Sequence, residues 1–233
     1  MRAVESVFLG KERCQPRGNI SCLGVQVTGR NRIFVADIAN FSAIDDGRIC
    51  SMARVWDATV DDLARVPGKA ELVNGELVLM TSGGGTHGYA AGAIHASLFE
   101  YARRTKNGIA LPDNVGFIVK LPNRRSFSPD VAFWTGGPLT AKFVNGSPAF
   151  AVEVRSEKDH GDSAERALAT KHADYFATGT LVVWDVDLEM EIVRVYRSTS
   201  PLSPQLYRRA ERAEAEPAVP GWLMPVDELF PPT

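Results

Sequence analysis

The segment AFAVEVR, residues 149–155, constrains the fold more than any other stretch of the chain. A short run rich in branched and aromatic residues, with nothing polar until its end, is typical of a strand covered on both sides. Such a strand needs a sheet with helices packed against it. Alternation puts Phe150, Val152 and Val154 on one face, and Ala149, Ala151, Glu153 and Arg155 on the other. Glu153 is then a carboxylate late in an apolar strand, where an unpaired charge is costly. It needs a cation, an arginine or a metal.

The segments on either side supply the rest of such a sheet. In WDATVDDLARVPG, Thr59 is placed to cap a short helix with Asp62 at its third position, and Pro67-Gly68 ends it. AELVNGELVLM is two alternating runs around Asn74-Gly75, a strong hairpin signal. After the glycine loop TSGGG, the recurrence of Ala90, Ile94, Leu98 and Tyr101 predicts an amphipathic helix ending near Gly108. VGFIVKL and DVAFW read as strands, and a second helix spans about Ser163 to Thr178. LVVWDVD and EIVRVYR form a hairpin around Leu188, and Gln205–Arg209 adds an edge strand. The closing VPGWLMPVDELF packs Trp222 and Phe230 back onto the body. The expected class is α/β (α+β), a mixed central sheet flanked by helices.

Residues 1–51 differ in texture. They hold Cys14, Cys22 and Cys50, the chain's only cysteines, and carry a net charge of +2 within a chain whose total is −2. Two readings stand for them: a poorly ordered or atypical extension preceding a domain over 52–233, or an ordinary subdomain with strands VQVTG and RIFVAD. The cysteine spacing matches no zinc pattern, and an odd count fits a reducing compartment. No run of about eighteen apolar residues occurs, and MRAVESVFLGKERC has no small-residue cleavage site. A cytoplasmic protein without a membrane partner is expected. With 26 basic against 28 acidic residues, bulk positive charge does not drive nucleic-acid binding; a local basic rim with metal ions remains open. Arg103, Arg104, Lys106, Lys120, Arg124 and Arg125 are its candidates.

Chemistry concentrates around SPDVAFW and AFAVEVRS. Asp130 follows Pro129 at the mouth of a strand, where the missing proline N–H is not needed. If the two strands are neighbours, Asp130 and Glu153 come within reach of one divalent ion. The alternative is a structural salt bridge from Glu153 to Arg155 or Lys171. Lys171 lies three residues after Leu168 and four before Tyr175, on the helix face expected to bury Ala164, Ala167, Leu168 and Tyr175. A lysine there is rare unless paired. Beside two carboxylates it would orient a water and offset charge on a phosphate, or merely neutralise Glu153.

The order of ELVNGELVLM, a loop with His87 opening a helix, PDVAFW, AVEVRS, a lysine-bearing helix and VVWDVDLEMEIVRVYR resembles the Uma-type putative restriction endonuclease family of the PD-(D/E)XK nuclease superfamily. The resemblance covers about residues 57–230. It implies a restriction-endonuclease-like fold, a Mg²⁺ cofactor with Mn²⁺ as substitute, and a DNA substrate. By position, Asp130 and Glu153 correspond to the metal-binding acids and Lys171 to the catalytic lysine, moved from strand to helix. Glu71 and Glu76 match early acidic positions, and His87 matches a histidine at the start of the first long helix.

Two departures stand out. Ser156-Glu157 replaces the usual serine-proline, and Arg155 occupies the position where the superfamily places its lysine. Arg155 cannot act as a base but could grip a phosphate bidentately. His95, His160 and His172 read as ordinary helix or loop residues. The function expected is Mg²⁺-dependent DNA endonuclease activity, with a homodimer supplying one site per strand. The alternatives are a catalytically silent module of the same fold that binds nucleic acid or a protein, and a purely structural salt-bridge core.

Overall fold

The computed structural model describes residues 23–28, 32–37, 57–156 and 159–232. The chain divides into two compact units, Met1–Met80 and Thr81–Thr233.

In the first unit, β1 (Leu23–Thr28) and β2 (Arg32–Asp37) pair antiparallel. These are the two strands of the subdomain reading; the remainder of residues 1–51 lies outside the described residues. Next come α1 (Val60–Leu63), β3 (Ala70–Val73) and β4 (Glu76–Leu79), and the sheet order is β1-β2-β4-β3. Thr59 caps α1 as expected. Its Oγ1 accepts the Asp62 N–H at 3.2 Å, and its own N–H donates to Asp62 Oδ2 at 2.9 Å. Asn74 (φ 52°) and Gly75 (φ 76°) make the tight hairpin turn with both residues left-handed. The register pairs Glu71 with Val78 and Val73 with Glu76. Opposed residues share a face, so Glu71 and Glu76 lie on one face while Leu72 and Leu77 are buried on the other.

The second unit begins with α2 (Gly85–Thr105), β5 (Ile109–Leu111), β6 (Phe117–Ile118), β7 (Ser126–Phe127) and β8 (Val131–Trp134). It continues with β9 (Val144–Asn145), β10 (Phe150–Val154), α3 (Asp162–Ala177), β11 (Val182–Asp187) and β12 (Ile192–Arg197). β13 (Ser200–Arg208), β14 (Arg212–Glu214) and β15 (Leu223–Pro225) complete it. The main sheet runs β13-β12-β11-β10-β8-β5, with only β10 and β11 parallel. A parallel pair needs a crossover, and α3 is that crossover. The VGFIVKL strand is shorter than its composition suggests: only Phe117–Ile118 joins a ladder, between β7 and β9.

β10 is central and buried along its whole length. Phe150, Val152 and Val154 pack with Ala90, Ile94 and Leu98 of α2. Ala151, on the opposite face, packs with Phe127 and with Tyr175 of α3. The two helices thus cover opposite faces of one sheet. Trp222 joins the α2-side core, its Nε1 donating to Ser97 Oγ at 3.0 Å, and Phe230 packs against the same core. On α3 the buried residues are His172, Asp174 and Tyr175, all in its second half. Ala167 is exposed, contrary to the face expected, because the first turns carry Asp162, Glu165 and Arg166 and sit at the surface. Among the described residues, no helix is long and apolar enough to cross a membrane.

Candidate active site: two carboxylates and a helix-borne amine

Asp130 is built into the sheet although it precedes β8. Val131 pairs with Val152, and the Asp130 N–H donates to the Val152 carbonyl at 3.0 Å. Asp130 is thereby held against β10, the strand that carries Glu153. Asp130 Oδ2 accepts the Val154 N–H at 2.8 Å, which fixes the carboxylate across the end of β10. Imidazole Nε2 of His87, in the first turn of α2, lies 3.3 Å from the same oxygen. Gly83 makes room for that ring, since a Cβ there would come within 2.5 Å of His87 Nδ1.

α3 reaches Glu153 with two side chains one turn apart. Lys171 Nζ donates to Glu153 Oε2 at 2.8 Å, and the Tyr175 hydroxyl donates to Oε1 at 2.7 Å. The buried carboxylate thus has the cation its environment requires. Tyr175 was expected only as an apolar residue of the helix; its spacing of four from Lys171 was the available signal that both reach one target.

Arg155 stands apart from this group. Its Nε and Nη2 grip both oxygens of Asp185, at 2.6 and 2.7 Å, and the same guanidinium bonds Glu165 of α3. Asp185 pairs with Glu153 in the β10–β11 ladder and is fully buried. Arg155 therefore neutralises a carboxylate beside Glu153, and its fork is already filled. The hydrogen bonds it donates to Asp185 push its pKa further upward despite burial, with those to Glu165 adding to the effect. A cleft of about 500 Å³ opens beside it, lined also by Glu165, His172, Phe176, Tyr196 and Leu202.

Glu71 is buried and Glu76 partly so, both on the β3–β4 hairpin of the first unit. Ser156, the serine of the pair in which Glu157 stands in place of proline, donates its N–H and hydroxyl to Asp159 Oδ2 at 2.8 and 2.7 Å. Of the basic-rim candidates, Arg124 is buried and donates to Asp174 at 2.8 Å, so it serves the interior. His172, a residue of α3 as expected, is also buried. Its Nε2 has no hydrogen-bond partner among the described residues, and burial, the leading cause, lowers its pKa to about 4.

Two carboxylates offer the hard oxygens that Mg²⁺ prefers, and this ion commonly binds through one or two of them, completing its shell with water and phosphate. Asp130 and Glu153 fit that description. Among the described residues no group of three or more His, Cys, Asp or Glu side chains is gathered so as to hold a metal ion.

The family model of Uma2, described as "Putative restriction endonuclease", matches residues 60–227. A comparison with curated proteins finds no match. Among solved structures, the chain is similar to a putative nuclease belonging to DUF820 from Anabaena variabilis ATCC 29413. The TM-score is 0.60 at 15% identity, covering 74% of this chain and 97% of that one. Likeness at that identity shows a shared fold.

Proposed function

The chain belongs to the Uma2 family of putative restriction endonucleases, and from that premise we propose that it is a Mg²⁺-dependent endonuclease hydrolysing DNA phosphodiester bonds. What supports the proposal is that Asp130 is bonded on both sides to β10, the strand of Glu153, through its N–H to the Val152 carbonyl and the Val154 N–H to its carboxylate, with Lys171 on Glu153.

Asp130 and Glu153 would hold the ion, which when bound polarises the phosphate and acidifies a water. The protein's own groups do the rest. The Val154 N–H and His87 fix the Asp130 carboxylate, and Tyr175 fixes that of Glu153. The Lys171 ammonium, held 2.8 Å from Glu153, orients the attacking water and offsets the charge that develops on the phosphate. Arg155 anchors Asp185 rather than gripping substrate. A homodimer would present one such centre to each strand of a duplex, and the exposed Arg103, Arg104, Lys106, Lys120 and Arg125 would contribute to the rim that meets the DNA.

Nicking of supercoiled plasmid in Mg²⁺ or Mn²⁺ tests this. Wild type should convert plasmid to open circles, whereas Asp130→Asn, Glu153→Gln and Lys171→Ala should each lose about a hundredfold or more in rate. Metal-dependent DNA binding without cleavage by wild type would identify the catalytically silent module instead.

A further inference from the structure

Glu153 lies in β10 and Asp130 just before β8, and one continuous set of contacts links the segments that carry them. The Tyr175 hydroxyl holds Glu153 Oε1 at 2.7 Å. The Tyr175 ring, fully buried, stacks on Phe127 with centroids 3.9 Å apart and planes 13° from parallel. Phe127 ends β7, and only Ser128 and Pro129 separate it from Asp130.

The far side of this stack is also braced. The Arg124 guanidinium lies 4.9 Å from the Phe127 ring centroid, and its Nε donates to Asp174, the residue before Tyr175, at 2.8 Å. Asn123 donates to the same carboxylate at 2.9 Å. The segment Asn123–Phe127 therefore grips α3 at two consecutive residues and runs directly on to Asp130.

We infer that Tyr175 is a positioning residue, and that its stack on Phe127 is the strut that sets the spacing between the Asp130 and Glu153 carboxylates for a shared divalent ion. This rests on the nuclease reading above. Partners behind metal ligands fix ligand orientation, and removing one typically costs about 10–100-fold in metal affinity or activity. The two halves of the strut separate chemically: Tyr175→Phe keeps the stack and removes the hydroxyl, whereas Phe127→Leu keeps the hydroxyl and removes the stacking partner.

The test is the affinity of the purified protein for Mn²⁺ without DNA, followed by the paramagnetic signal of the free ion, with melting temperature and kcat and KM on a plasmid alongside. Tyr175→Phe should weaken Mn²⁺ binding about 10–100-fold and lower kcat, with KM for DNA and the folded structure retained. Phe127→Leu should weaken Mn²⁺ binding in the same direction, and it carries the test alone should Tyr175→Phe fail to fold. Wild-type Mn²⁺ affinity in either folded variant would overturn the strut and leave the nuclease reading standing. Absence of Mn²⁺ binding by the wild-type protein would overturn both.

Discussion

The Asp130 carboxylate accepts the backbone N–H of Val154 at 2.8 Å, one residue beyond Glu153. The first acidic side chain is thus fastened to the strand that carries the second. Any movement of β8 against β10 disturbs both together, so the pair is a property of the sheet rather than of two independent loops.

His87 depends on a residue with no side chain. Gly83→Ala would place a Cβ within 2.5 Å of the imidazole. The ring can swing aside, so the fold should survive while His87 leaves Asp130. Cleavage rates for Gly83→Ala and His87→Ala should therefore fall to a similar level, with melting temperatures within a few degrees of wild type. A Gly83→Ala protein as active as wild type would show that His87 does not need this position.

Removing Arg155 should cost stability. Its guanidinium bonds buried Asp185 and also reaches Glu165, and stranding a buried charge typically costs about 3–5 kcal/mol. Urea denaturation of Arg155→Met should show a loss in that range, and the double variant with Asp185→Asn should recover part of it. A loss below about 1 kcal/mol would place Asp185 in a far more polar setting than its full burial implies.

His172 predicts an acid limb in stability. Burial lowers its pKa from 6.5 to about 4 in the folded chain, so the unfolded chain takes up the proton first as pH falls. The contribution is complete above pH 6.5 and is lost between there and pH 4. Its full size is on the order of 3 kcal/mol. Comparing urea denaturation at pH 7 and pH 4.5, His172→Leu should lose less stability than wild type, by about 2–3 kcal/mol. Equal losses in the two proteins would contradict the lowered pKa.

The elements that the sequence made plain are those whose causes are local. Asn74-Gly75 requires two left-handed residues and forms that turn; Thr59 and Asp62 form their reciprocal cap; the alternation in AFAVEV sorts Phe150 and Ala151 onto opposite cores. The partners of Arg155 were not legible, because Asp185 lies thirty residues on and meets it only through the parallel register of β10 and β11. The same holds for Arg124, an apparent surface cation whose carboxylate, Asp174, is fifty residues away on α3. Tyr175 was visible as an apolar helix residue, but its hydroxyl acquires a purpose only once Glu153 sits beneath the helix.

Asp130 and Glu153 are proposed to form one divalent-ion site. Calorimetric titration of the full chain with Mn²⁺ addresses it without reliance on any substrate. Wild type should bind the ion saturably, and both Asp130→Asn and Glu153→Gln should abolish that binding; undiminished affinity in either variant would show that the two carboxylates do not share an ion.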